Sequence, residues 1–164
     1  MPVKIASDGV RTSPIAPVGP GARRALRVSR EARGPYDVRV TGPVRRVLVV
    51  DDDELLREVA KASLELVAGW TVSVASSGVE AMATARREQP DVIVLDVMMP
   101  GQDGPTTFAH LREDERTAAI PVIFLTAKNN TEGWHGSGLA GVIAKPFDAM
   151  RLSAQVSSIL GWDE

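Results

Sequence analysis

Cysteine is absent from this 164-residue chain. That excludes disulfides and thiolate metal sites, and it fits the reducing cytoplasm in which we expect the protein to work. No apolar run approaches the roughly 20 residues of a membrane span, and the N-terminus lacks the compact apolar stretch of a secretory signal. A large net charge is missing too, at −2, but the average hides a split. Residues 1–46 hold ten Lys/Arg against three Asp/Glu, and residues 47–164 hold nine against eighteen. The basic part is spread between breakers, as in a solvated tail rather than a nucleic-acid arm. What is present is an apolar fraction of 44%, enough for an ordinary core.

Prolines at 2, 14, 17, 20, 35 and 43, with glycines at 9, 19, 21, 34 and 42, mark residues 1–43 as a leader that does not fold alone. Within it Ala22–Arg33 reads as a frayed helix and Tyr36–Thr41 as an extended piece. From Val44 to Glu164 the pattern is that of one domain. Val47–Val50, Trp70–Ala75, Val92–Leu95, Pro121–Leu125 and Gly141–Ala144 read as short buried strands. Leu56, Val59, Ala60, Leu64 and Val67 share one helix face. Gly78 opens a second helix running to about Glu88. Gly104 and Pro105 open a third, with proline at its tolerated first position. Asp148 is the expected cap of the last, with Leu152, Val156, Ile159 and Leu160 inward. Strands that are apolar throughout imply a sheet covered on both faces. This predicts an α/β fold with five parallel strands, doubly wound, flavodoxin-like, in the order 2-1-3-4-5.

In such a sheet the loops after the strands gather at one edge, where ligands bind. Asp51 and Asp52 follow the first strand, Asp96 the third, Thr126 the fourth and Lys145 the fifth. Carboxylates that converge repel by about 4 kcal/mol per pair at ~4 Å and an effective dielectric near 20. A cation has to offset this, and hard oxygen ligands with room for water suit Mg²⁺. A carboxylate there can act as nucleophile, while a lysine and a hydroxyl can hold phosphoryl oxygens.

The segments VLVVDDDELLR, IVLDVMMPGQDG, PVIFLTA and GVIAKPFD, in that order and spacing, resemble response-regulator receiver domains over about Arg45–Leu160. The resemblance implies that Asp96 is the phosphoacceptor. It implies that Asp51, Asp52, Asp96 and the backbone carbonyl of Met98 hold Mg²⁺, and that Thr126 and Lys145 contact the phosphoryl group. It makes Pro100 and Gly104 part of the loop after the acceptor strand, and implies a cis bond at Lys145–Pro146. The implied partners are a sensor histidine kinase or phosphotransfer protein and a downstream protein, with no membrane and no direct DNA binding. Only a few residues follow the last helix, so output through a partner or an onward relay is expected, from a monomer or weak dimer. No turnover substrate is expected.

Three departures from the family pattern stand out. Val142 occupies the place of a switching aromatic on strand five, so output through backbone and loop shifts is expected. The segment AKNNTEGWHGS is about three residues short, so a fourth helix there should be short, frayed or displaced, with Trp134 packed as a plug. Met98 and Lys128 stand two past the acceptor and two past the threonine. An apolar Met98 should hinder an attacking water and slow self-dephosphorylation. Asp53 is expected as a helix cap, Ser76 and Ser77 as a turn and helix start, Met98 and Met99 in loop and core, and neither His110 nor His135 as a phosphodonor. Asp51-Asp52-Asp53 also fits the Asp-x-Asp signature of a haloacid-dehalogenase-type phosphohydrolase. That class needs a late acidic pair on a further strand, whereas Asp163 and Glu164 are terminal, and it leaves Asp96 unexplained. A receiver-like binding module that is never phosphorylated is the other alternative.

Overall fold

The computed structural model describes residues 42–127, 134 and 137–162. The expected leader, apart from Gly42 and Pro43, lies outside these residues. So do Lys128, His135, Asp163, Glu164 and most of the segment expected to carry a short fourth helix.

Most strands are short, largely apolar runs; the second alternates Thr71 and Ser73 with Val72 and Val74. The strands are β1 (Arg46–Val50), β2 (Thr71–Ala75), β3 (Val92–Asp96), β4 (Val122–Ala127) and β5 (Gly141–Lys145). Between and after them, among the described residues, run helices α1 (Glu54–Ala68), α2 (Gly78–Glu88), α3 (Gly104–Glu113) and α4 (Leu152–Leu160). All strand pairs are parallel and the order is β2-β1-β3-β4-β5, as the sequence predicted.

Alternation along the strands builds two cores. Val47, Val49, Val92, Val94, Ile123 and Leu125 meet Ala60 and Leu64 of α1 and Leu152 and Val156 of α4. Leu48, Val50, Ile93, Leu95, Val122 and Phe124 meet Ala81, Met82 and Ala85 of α2 and Phe108 and Leu111 of α3. Both faces of the sheet are therefore covered, which is why the inner strands β1, β3 and β4 are almost wholly apolar, while the edge strand β2 places Thr71 and Ser73 on its less buried side. Each fully buried Val, Leu or Ile contributes about 1.5–3 kcal/mol.

Local chemistry sets the helix ends. Asp53 accepts from the Leu56 N–H at 3.2 Å, Ser77 from Glu80 at 3.2 Å and Asp103 from Thr106 at 2.8 Å, each satisfying an orphan first-turn donor. Gly69, at φ 66°, ends α1 in the left-handed region.

The structure corrects some expectations. Asp148 does not cap α4. Its side chain accepts from Met150 N–H and its carbonyl from Arg151 N–H, forming a turn, and Arg151 is the residue before the helix. Val59 is 39% exposed, at the edge of the face on which α1 buries Ala60, Ser63 and Leu64. Ser63 is accepted inside because its hydroxyl donates to the Ala149 carbonyl. Trp70 precedes β2 and sets its ring edge-on to Trp162, with centroids 5.5 Å apart.

Candidate functional site

The carbonyl ends of β1, β3, β4 and β5 converge, and the polar residues that follow the apolar runs converge with them. Asp51 is 1% exposed just after β1, and Asp96 is 4% exposed as the last residue of β3. These strands are neighbours, so oxygen atoms of Asp51, Asp52 and Asp96 lie within 4.8 Å of one another. Asp52 is the exposed member.

Lys145, the last residue of β5, reaches across the β4 end. Its Nζ donates to Asp51 Oδ2 at 2.7 Å and to Asp96 Oδ1 at 2.9 Å. Asp96 Oδ1 also accepts from the Met98 N–H at 3.3 Å, and Asp51 Oδ1 from the Asp53 N–H at 2.9 Å. Burial, and then the charge of Asp51, raise the Asp96 carboxyl above the ordinary aspartate range, against the opposing hydrogen bond from Lys145. Burial pulls the Lys145 ammonium down, but hydrogen bonds and charge from Asp51 and Asp96 together outweigh it and the net shift is upward. One cation thus shares two buried acids, and a third acid stands at the mouth. That leaves an excess of negative charge over hard oxygen donors, the composition a small divalent cation requires.

Thr126 is 2% exposed on β4. In register it pairs with Ala144, while Asp96 pairs with Leu125 and Lys145 with Ala127. Its hydroxyl lies 3.5 Å from the Ala127 carbonyl, at the limit of a hydrogen bond. The site residues predicted from sequence therefore gather at one sheet edge.

The loop after β3 folds closely beneath the site. Gly104 donates its N–H to the Val97 carbonyl at 3.0 Å, and a Cβ at 104 would collide with the Asp96 carbonyl oxygen. Glycine is needed there for close backbone approach. Met99 is buried, Met98 is 75% exposed, and the Lys145–Pro146 bond is cis. Val142 is half-buried in the α2/α3 core together with Trp134. The Trp134 ring stands edge-on to Phe124 at 5.0 Å, so it packs as the expected plug. Sequence reasoning missed Arg57, whose Nη1 donates to the Asp51 carbonyl at 2.7 Å. The available signal was a cation near a helix N-terminus, where the dipole disfavours it.

The class of fold is thus an open parallel α/β sheet with an acid cluster and a lysine at its carbonyl edge. The model of the response regulator receiver domain matches residues 47–157, and the chain belongs to that family, that of two-component response regulators. It is 40% identical over 119 residues to the DNA-binding dual master transcriptional regulator RpaA of Synechocystis, covering 70% of this chain and 48% of that protein. It is 41% identical over 118 residues to the response regulator PleD of Caulobacter vibrioides, covering 70% and 26%. The chain thus spans less than half the length of these two relatives. Among solved structures it is similar to the chemotaxis response regulator CheY4 of Vibrio cholerae, with a TM-score of 0.65 and 30% identity over 71% of this chain and 98% of that one. It is equally similar to a putative response regulator from Chloroflexus aurantiacus, at TM-score 0.65 and 32% identity over 72% and 98%. Family membership leaves the haloacid-dehalogenase reading without support. Among the described residues no helix is long and apolar enough to cross a membrane.

Proposed function

We propose that Asp96 accepts a phosphoryl group from the phosphohistidine of a sensor histidine kinase or phosphotransfer protein, and that the resulting change of shape alters binding to a downstream protein. The observation that carries this reading is the Lys145 ammonium shared between Asp51 and Asp96 inside a three-carboxylate cluster. Asp51, Asp52, Asp96 and the Met98 carbonyl would hold Mg²⁺. When bound, the ion supplies positive charge that keeps the carboxylates ionised and neutralises phosphoryl oxygens.

An Asp96 carboxylate oxygen forms the new bond to phosphorus as the bond from phosphorus to the histidine nitrogen breaks. The ring carries a proton, taken from solvent, on its other nitrogen and leaves as neutral imidazole, keeping the electron pair of the broken bond. Lys145 then exchanges a carboxylate oxygen for a phosphoryl oxygen, and Thr126 turns its hydroxyl to another. Only contacts that differ between the two states can shift their populations, and these two residues supply them. The protein is a stoichiometric acceptor rather than a turnover enzyme. The exchange takes place in the cytoplasm, which the cysteine-free composition fits. Residues 1–43 are the leader and 44–164 the receiver. Exposed, apolar Met98 disfavours an ordered water beside the acyl phosphate, so the phosphoprotein should outlast seconds in Mg²⁺.

Intact-mass measurement with a small phosphodonor and Mg²⁺ tests the chemistry. The native chain should gain one phosphate and Asp96→Asn none. No gain by the native chain from any small donor or histidine kinase would point to a receiver-like module that is never phosphorylated.

A further inference from the structure

We propose that Arg57 is a positioning residue for the divalent-cation site. It would act from behind the Asp51 peptide rather than by touching the ion. This rests on the cation site proposed above.

Asp51 has three polar acceptor atoms, and each is held by a different donor. Oδ2 takes Lys145 Nζ at 2.7 Å, Oδ1 takes Asp53 N–H at 2.9 Å, and the backbone carbonyl takes Arg57 Nη1 at 2.7 Å. The carbonyl needs a side-chain donor because the β1–β3 register ends one residue earlier, at Val50 and Leu95. Asp51 is almost fully buried, so little water reaches it. The Asp51 N–H donates to the Ala75 carbonyl at 3.2 Å. Next to Ala75, Ser76 gives its N–H and hydroxyl to Glu80, each at 2.8 Å. The Asp51 peptide is thus fixed on both sides: Arg57 holds its carbonyl, and the turn braced by Glu80 holds its amide.

Arg57 forms no ion pair among the described residues, and its own N–H closes the first turn of α1 onto the Asp53 carbonyl. Hydrogen bonds from Ser76, and more weakly the charge of Arg57, hold the Glu80 carboxyl below the ordinary range. The hydrogen bond of this half-buried guanidinium nevertheless goes to a peptide oxygen, and the helix dipole disfavours its charge there. The guanidinium is well placed to set the orientation of the Asp51 and Asp52 carboxylates. Donors of this kind that orient metal-binding groups typically change metal affinity about 10–100-fold when removed.

The test is Mg²⁺ titration of the full chain by calorimetry, together with the Mg²⁺ dependence of phosphorylation by a small donor. The proteins are native, Asp52→Asn, Arg57→Met, Arg57→Gln and Arg57→Lys. Both removal variants should bind Mg²⁺ about tenfold more weakly, with the phosphorylation rate at saturating Mg²⁺ near native, and Arg57→Lys should recover most of the affinity. Unchanged affinity in folded removal variants would overturn the proposal. So would unfolding of both removal variants at 25 °C, which would make Arg57 a stability residue. If the native chain binds no Mg²⁺ that Asp52→Asn abolishes, the cation site itself fails, and the role of Arg57 with it.

Discussion

Along β3 two environments meet within one strand. Val92–Leu95 are fully buried, apolar and enclosed by the two helix layers, whereas Asp96, next in sequence and nearly as buried, holds a carboxyl pushed towards its protonated form. The interior is organised for stability and the edge for holding charge at a cost. The comparison shows that burial alone does not tell core from site. What distinguishes them is whether a buried group is content without a partner.

Two kinds of substitution should separate the regions. The largest effect is expected from Phe124→Ala, which removes a fully buried ring packed edge-on to Phe108 and Trp134. Urea unfolding should show a loss of about 3–5 kcal/mol, the usual range for a buried phenylalanine. A loss below about 1 kcal/mol would mean that this side of the sheet is not packed as described. Next comes Lys145→Met, which strands two buried carboxylates. It should lower stability by about 3 kcal/mol at neutral pH without divalent cation, and millimolar Mg²⁺ should recover part of that. The Phe124→Ala deficit should not respond to Mg²⁺ in this selective way; if it does to the same extent, the two regions are not separable.

The smallest effects carry opposite signs with pH. Asp103 caps α3, and the hydrogen bonds it accepts from Thr106 hold its carboxyl below the ordinary range. A lowered folded value gives stability that is present above the unfolded aspartate range and is lost as pH falls through the folded value. Asp103→Ala should therefore cost about 1 kcal/mol at pH 7 and progressively less in acid. Asp96 is raised, so its stabilising contribution is present below the unfolded range and is lost as pH rises through its folded value. Relative to the native chain, Asp96→Asn should accordingly improve as pH rises from acid to neutral. Urea midpoints across that range check both slopes, and slopes of the same sign would contradict the contrast between cap and site.

Most of the framework was legible in the sequence because its signals are local. Short apolar runs gave most of the strands, and Asp53 and Ser77 stand where helix starts need them. The convergence of Asp51, Asp96, Thr126 and Lys145 was legible because a parallel sheet sends every strand end to one edge. Other features depend on contacts between distant residues, which a linear pattern does not carry. Val59 looked inward by spacing but lies at the margin of the buried face, which includes Ser63 through its bond to Ala149. Asp148 had cap chemistry but spent it on a turn. Arg57 reads as an ordinary helix residue until the Asp51 carbonyl is seen to need a donor.

The most direct test of the central claim is to locate the phosphoryl group. The native chain, phosphorylated with a small donor in Mg²⁺, is treated with borohydride, which reduces an aspartyl phosphate to homoserine, and its peptides are sequenced by mass spectrometry. Homoserine at position 96 and nowhere else is the predicted result. Homoserine at 51 or 52, or a phosphorylated chain in which no aspartate is converted, would contradict it.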